Sequence, residues 1–328
     1  MISIGPSLRV DWVRIGIKQI INYQFSIMAS SRLSNSPPNS SSNSSRSWSQ
    51  RLEPFLMLVP AGLWLFLLLI LPTLLIFQLS LVPGIRPGDL VNPSSLQNYF
   101  KIFEPSVLWV ILRSIGLSIF TTLFCLILGF PVAYWIALLA PKRWQNLLLL
   151  GFVLPLWTSS LLRTYAWISI LRPTGVLNTI LTTLHLPTLD VMNQLPAVLI
   201  GMTYSLLPYM VLILYSSLEK LDRRLLEAAA DLGATPKEVF MRVTVPQALP
   251  GIAAGVLLVF INAIGDFVNP ELLGGPSSMT AARLLYSRFL GASPDWGMGS
   301  ALSALLIMLV TLAIVCLIKY GDKNARSI

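Results

Sequence analysis

Six long stretches of this 328-residue chain contain no aspartate, glutamate, lysine or arginine. A helix that crosses a bilayer needs about 20 consecutive, mostly apolar residues, because the hydrocarbon core is about 30 Å thick. The six stretches approach or exceed that length, and they are 54–85, 114–141, 144–162, 191–218, 243–265 and 296–318. The sequence therefore predicts an all-α membrane protein with about six transmembrane helices.

The composition agrees with a chain that crosses a membrane several times. It is 55% hydrophobic and 11% charged, whereas soluble domains contain about 25% charged residues. The net charge of +9 would suggest nucleic-acid binding in a soluble protein. Here we attribute it to basic cytoplasmic loops, and we expect no nucleic-acid partner.

The predicted spans belong to one domain, residues 51–328. Pro155 and Arg163 interrupt the third span, and prolines in the first, second and fourth spans are expected to kink rather than end their helices. The six spans are placed near 56–81, 108–139, 145–170, 195–218, 249–273 and 299–320.

The distribution of lysine and arginine predicts the orientation, because cytoplasmic loops are enriched in both. With both termini in the cytoplasm, the basic cluster within 220–242 and the turn at 142–143 also face the cytoplasm. Residues 1–50 are rich in serine and asparagine, and we expect a disordered tail there. Met28 is an alternative start of the chain.

The segment from Leu218 to Ile252 is charged and lies between two apolar runs. Good helix formers fill 222–232, and Gly233 is the expected left-handed cap. Thr235, Pro236 and Glu238 predict the capping box of a second short helix, which Pro246 and Pro250 are expected to end. A polar helical corner between two spans indicates a docking site for a partner outside the lipid.

The spacing in this corner resembles a known motif. Glu227-Ala228-Ala229 is followed after three residues by Gly233, and after nine more by Val243-Thr244-Val245-Pro246. This pattern is similar to the EAA loop of membrane subunits of binding-protein-dependent ABC importers, with valines in place of isoleucine and leucine. The resemblance implies a type I ABC importer permease fold. It also implies that Glu227, Ala228, Ala229, Gly233 and Pro246 couple the chain to a cytoplasmic ATPase. An ordinary amphipathic cytosolic loop is the alternative.

Segments 157–181, 203–236 and 265–285 resemble permeases of spermidine/putrescine ABC importers, although Asp266 stands where that family usually has glutamate. The resemblance implies an importer in a bacterial inner membrane. Its partners would be a second permease, an ATPase dimer and an extracytoplasmic binding protein. Related permeases for ferric iron, thiamine or opines are alternatives. Two further alternatives belong to different classes of protein: a secondary transporter driven by an ion gradient, and a membrane scaffold that transports nothing.

Charged residues within spans are costly and usually face a cavity or a partner. Arg163, Asp266 and Glu271 are therefore candidates for a cation pathway. Asp266 has an alternative role as a helix cap or as the ion-pair partner of Arg163, and Glu271 as part of an interface loop. Aromatic side chains bind ammonium groups through cation–π contacts. The candidates, each of which has packing as its alternative, are Tyr165, Trp167, Tyr204 and Tyr209.

Motifs for other chemistry are missing from the sequence. There is no phosphate-binding loop of the form G-x-x-x-x-G-K-[ST], so ATP hydrolysis is expected from a partner subunit. The single histidine, His185, is expected at the surface, and Cys125 and Cys316 fall in apolar runs as core residues. We therefore expect no enzyme activity, no metal and no cofactor.

Overall fold

The computed structural model describes residues 59–60, 62–86, 88 and 95–325, without the side chains of 277, 316–318 and 320–325. The expectations for residues 1–50, including Met28, lie outside this range. The chain divides into two compact units, Met1–Phe66 and Leu67–Ile328. The described residues of the first unit are helical, and those of the second form a helical bundle.

Helices make up nearly all of the described chain. No strand forms within the described ranges, where an isolated bridge joins Asn193 and Gly274. In order, the helices are α1 (Gly62–Ser80), α2 (Gln97–Ile102), α3 (Pro105–Leu139), α4 (Lys142–Trp157), α5 (Ser160–Leu171), α6 (Val176–Thr183), α7 (Leu195–Leu218), α8 (Arg223–Asp231), α9 (Pro236–Gly265), α10 (Val268–Leu273), α11 (Ala281–Leu290) and α12 (Trp296–Ala325).

Among the described residues, five helical segments are long and apolar enough to cross a membrane: α1, α3, α7, α9 and Trp296–Val315 of α12. A sixth crossing requires α4 to combine with the helical segment Ser160–Thr183, and these meet at 94°. The structure thus agrees with an all-α chain of five to six apolar helices. Prolines do not end the helices they interrupt, since α3 runs through Pro131 and α7 through Pro208.

The third predicted span, 145–170, is wrong as a single helix. Thr158 and Ser159 adopt extended backbone angles, with ψ of 148° and 136°, and separate α4 from α5. The hydroxyl of Thr158 donates to the carbonyl of Pro155 at 2.7 Å. A threonine hydroxyl that donates to a backbone carbonyl in this way competes with the hydrogen bonds that would continue the helix.

The predicted fifth span, 249–273, also differs from the structure. Helix α9 begins at Pro236 and ends at Gly265, so Asp266 lies at a break and not inside the helix. Pro246 and Pro250 lie within α9. The expectation that they end the preceding segment is therefore wrong. A wider π turn at Phe240–Thr244 precedes Pro246 and adjusts the backbone where proline donates no N–H.

Helix α7 lies at the centre of the bundle and packs against α3, α4 and α9. Its side chains Met202, Met210 and Leu214 are fully buried. Cys125 of α3 is also fully buried, which confirms its assignment to the core. The side chain of Cys316 lies outside those described. His185 is exposed, as expected.

Close approach of α7 and α9 depends on a glycine. A Cβ built on Gly251 would overlap the side chain of Ser217, whereas a Cβ on Gly116 of α3 meets nothing within 4 Å. We expect Gly251→Ala to lower the free energy of unfolding by about 1–3 kcal/mol through overpacking. Thermal unfolding of the purified chain in detergent measures the effect. Gly116→Ala is the matched control and should leave the midpoint unchanged or raise it, since alanine favours helix. Equal midpoints for the two variants would contradict this account of the contact.

Candidate functional site

The corner between α8 and α9 is built by local capping. The Asp222 carboxylate accepts from the backbone N–H of Arg224 at 3.0 Å and caps α8. The Thr235 N–H donates to the Glu238 carboxylate at 2.9 Å, and the Glu238 N–H donates to the Thr235 hydroxyl at 3.4 Å. This capping box confirms the predicted start of α9.

Gly233 turns the chain between these helices with φ of +85°. The N–H of Ala234 donates to the carbonyl of Ala229 at 3.1 Å, and the N–H of Gly233 donates to that of Ala230 at 2.9 Å. This pair of bonds is a Schellman motif, in which the left-handed residue is usually glycine because it carries no Cβ. The predicted left-handed cap is confirmed, and the alanines after Glu227 supply its acceptors.

Contacts of Arg223 and Phe240 attach the corner to α3. The Arg223 guanidinium donates to the carbonyl of Ala137 at 3.1 Å, near the end of α3. The ring of Phe240 packs edge-to-face against Phe130 and Tyr134, with centroids 5.7 and 5.5 Å apart. The corner therefore contacts α3 and is continuous with α9.

The outward surface of the corner combines charged and apolar side chains. Glu227, Ala228 and Gly233 are exposed, whereas Ala229 and Pro246 are half-buried. The side chain of Leu232 is 89% exposed. The corner thus presents an exposed leucine among charged side chains.

The second site lies at the opposite end of α9, where the helix stops at Gly265. One oxygen of the Asp266 carboxylate accepts from the N–H groups of Val268 and Asn269, at 3.0 and 3.2 Å. The other accepts from the Asn269 side-chain amide at 2.6 Å. Of the alternatives for Asp266, the structure therefore shows the helix cap, on α10.

Asn269 connects this break to the one between α4 and α5. Its amide oxygen lies 3.2 Å from the Thr164 hydroxyl, and both side chains are about 1% exposed. The single Thr164 proton is shared with the carbonyl of Ser160 at 2.9 Å. Sequence reasoning missed Asn269 and Thr164, since nothing local indicates a contact between residues so far apart in the chain.

Glu271 has a different environment from Asp266. Its carboxylate forms an ion pair with Arg283 of α11. The Arg283 guanidinium also donates to the carbonyl of Gly275 at 3.1 Å. These contacts tie α10 to α11, and Glu271 lies within helix α10 and not in a loop.

Arg163 lies in the first turn of α5 and is half-buried. Its Nε and Nη1 groups are buried without a hydrogen-bond acceptor in the described part of the chain. It does not form an ion pair with Asp266 there. The next residue, Thr164, bonds to Asn269, which bonds to Asp266, so the arginine and the carboxylate lie on contacting segments but are not paired.

Aromatic rings are arranged in pairs near this end of the bundle. Trp167 packs edge-to-face against Tyr204 at 5.4 Å, and Phe267 stacks on Tyr286 at 5.0 Å. Sequence reasoning missed the second pair. The Tyr165 side chain is 56% exposed, and Tyr209 is also exposed. Among the described residues, no group of three His, Cys, Asp or Glu side chains is placed to hold a metal ion.

Comparisons with known proteins agree with this geometry. The chain is 40% identical over 253 residues to the spermidine/putrescine transport system permease protein PotB of Haemophilus influenzae, covering 76% of this chain and 88% of that protein. The Escherichia coli PotB is 38% identical over 263 residues, which cover 79% and 94% of the two chains.

The fold matches a solved transporter. The crystal structure of a bacterial alginate ABC transporter, in complex with an alginate-bound periplasmic protein, contains a chain that superposes with a TM-score of 0.69 at 17% identity. The match covers 83% of this chain and 96% of that one. The sequence model of the family described as "Binding-protein-dependent transport system inner membrane component" matches residues 129–326. The chain therefore belongs to this family of inner-membrane transport components and has the fold of an ABC importer permease.

Proposed function

We propose that this chain is the permease subunit of an ABC importer for polyamines such as spermidine and putrescine. The observation that carries the proposal is the 40% identity to a spermidine/putrescine permease across 88% of that protein. The ferric iron, thiamine and opine alternatives have no comparable support. Membership of a binding-protein-dependent family argues against a secondary transporter and a scaffold.

The chemistry at the end of α9 suits a polyammonium substrate. Asp266 supplies a carboxylate at the outer end of a spanning helix, and its neighbour Phe267 stacks on Tyr286. Carboxylates and aromatic faces both attract ammonium groups. Glu271 is a weaker candidate, because Arg283 already neutralises its charge. Asp266 is therefore the acid that we assign to the pathway.

The importer requires further subunits. An ATPase dimer supplies hydrolysis, since the chain has no phosphate-binding loop. A second permease completes the pathway, and an extracytoplasmic binding protein delivers the substrate to the outer loops. The excess of lysine and arginine in the α8–α9 corner supports a cytoplasmic position for this corner and for both termini.

The proposed mechanism is alternating access. Closure of the ATPases on ATP moves the α8–α9 corner, and the contacts of Arg223 and Phe240 carry this motion to α3. The spans then rock and open the site around Asp266 toward the binding protein. Hydrolysis resets the corner and opens the pathway to the cytoplasm.

The corner must keep its shape to transmit this motion. Valine at position 233 is strained at φ of +85°, at a cost of about 1–3 kcal/mol. We expect Gly233→Val to reduce polyamine uptake and binding-protein-stimulated ATP hydrolysis roughly tenfold in the assembled importer. Gly233→Asn is the control and should retain most activity, because asparagine tolerates the left-handed conformation. Normal uptake and ATPase activity in the valine variant would reject the assignment of the corner.

The polyamine assignment is tested by uptake of labelled spermidine and putrescine in cells that lack this chain. Uptake should disappear on deletion and return with the wild-type chain or with Asp266→Glu, which keeps the charge. Asp266→Asn should restore less than about one tenth of it, through loss of a charge-assisted contact. Unchanged uptake after deletion, in cells without another polyamine importer, would remove polyamines as the substrate.

Asp266→Asn also places two amide donors opposite each other, because Asn269 donates to this position. A double variant, Asp266→Asn with Asn269→Asp, restores the hydrogen bond and the net charge. We expect it to recover uptake partly if charge is what matters. Recovery in Asp266→Asn alone would show that the carboxylate acts only as a cap of α10.

A further inference from the structure

Arg163 carries a charge whose hydrogen-bonding capacity is largely unused. Its Nε and Nη1 groups are buried without an acceptor in the described part of the chain. The guanidinium of an arginine is not deprotonated in proteins, so these donors stay charged even though they lack acceptors. A buried unsatisfied donor in a native protein calls for an explanation, such as an unseen ligand or another arrangement of the site.

Asp266 lies on the segment that contacts the start of α5, since the Thr164 hydroxyl donates to Asn269 and the Asn269 amide donates to Asp266. In the present arrangement its oxygens accept from Val268 and Asn269 of its own segment. The two oppositely charged side chains therefore lie on contacting segments without forming an ion pair there. A rearrangement that brings the Asp266 carboxylate to the Arg163 guanidinium would supply a hydrogen-bond acceptor without any added ligand.

Both residues lie beside helix breaks, where such a rearrangement is easiest. Arg163 follows the 94° bend between α4 and α5, and Asp266 forms the break between α9 and α10. One contact that joins these segments is the hydrogen bond from the Thr164 hydroxyl to the Asn269 amide oxygen, at 3.2 Å. Segments that adjoin breaks can shift with little loss of helical hydrogen bonding, as hinges do.

We propose that Arg163 is the internal counter-cation of Asp266. Between substrates its guanidinium pairs with the Asp266 carboxylate, and a polycationic substrate displaces it. This inference rests on the proposed function, because it takes Asp266 as the pathway acid. Arg163 is thus a specificity-determining residue for transport.

The pairing has a consequence for ion selectivity. A free carboxylate in an inner-membrane pathway attracts every cation, including Na⁺ and K⁺. A monovalent cation that replaces Arg163 exchanges one positive charge for another and gains little. A polyamine brings further ammonium groups, which gain contacts elsewhere, for example on the exposed face of Tyr165. Arg163 therefore keeps monovalent cations from leaking through the importer.

The test uses the assembled importer, with its ATPase and second permease, in proteoliposomes. K⁺ flux and spermidine uptake are measured for wild type, Arg163→Gln, Arg163→Lys and the double variant Arg163→Gln with Asp266→Asn. We expect Arg163→Gln to raise K⁺ flux roughly tenfold, as loss of a charge-assisted pair predicts. Arg163→Lys keeps the charge and should stay near wild type. Arg172→Gln, which removes an exposed charge just after α5, is the control.

The double variant separates an electrostatic role from a structural one. With no unpaired carboxylate left, its K⁺ flux should return to the wild-type value, whereas a structural role for Arg163 predicts further damage. If Arg163→Gln fails to co-purify with the ATPase, Arg163→Met replaces it and keeps the apolar stem.

The outcomes distinguish the two proposals. Unchanged K⁺ flux in both neutral variants, or a leak that persists in the double variant, overturns the role of Arg163. Absence of spermidine uptake by the wild-type importer, together with the expected pattern of K⁺ flux, overturns the polyamine assignment and leaves the role of Arg163 intact.

Discussion

An interrupted helix in a membrane leaves backbone N–H and C=O groups that lipid cannot hydrogen-bond. At two interruptions in the part of the chain that the structure describes, a polar side chain of the same segment hydrogen-bonds to backbone groups. The Thr158 hydroxyl donates to the carbonyl of Pro155, and the Asp266 carboxylate accepts from the N–H groups of Val268 and Asn269. The second break therefore brings a negative charge to the end of α9 that lies opposite the α8–α9 corner. The acid that we assign to the pathway has a structural reason to be there, and in the proposed function transport makes further use of it.

The α8–α9 corner was predictable almost residue by residue because its interactions are local. Asp222 caps a helix two residues away, Thr235 and Glu238 bond each other, and Gly233 closes on the alanines just before it. Such pairs depend on spacing along the chain, which the sequence displays. The error in this region is the expectation that Pro246 ends its segment. The helix continues through it after a π turn, which no residue pattern predicts.

The site around Asp266 was only partly predictable, because it depends on distant contacts. Hydropathy locates an apolar stretch but does not give its direction, so the 94° bend after α4 was missed. Asp266 and Glu271 are equivalent acids in the sequence. The structure separates them, since Glu271 pairs with Arg283 whereas Asp266 caps α10. The contact between Thr164 and Asn269 joins helices that are adjacent only after folding.

Helix α9 connects the two sites physically. It begins in the α8–α9 corner at Pro236 and ends at Gly265, beside Asp266. Its 30 residues span about 45 Å, so one element has one end at the proposed ATPase surface and the other at the proposed substrate site. A continuous helix resists compression, and motion at its start must therefore appear as tilt or rotation along its length. Beyond the π turn at Phe240–Thr244 and the prolines within α9, the helix breaks at Asp266. In the proposed mechanism, a shift there changes which partner the carboxylate meets. The change of partner therefore occurs at Asp266, the acid that the substrate must pass in this mechanism.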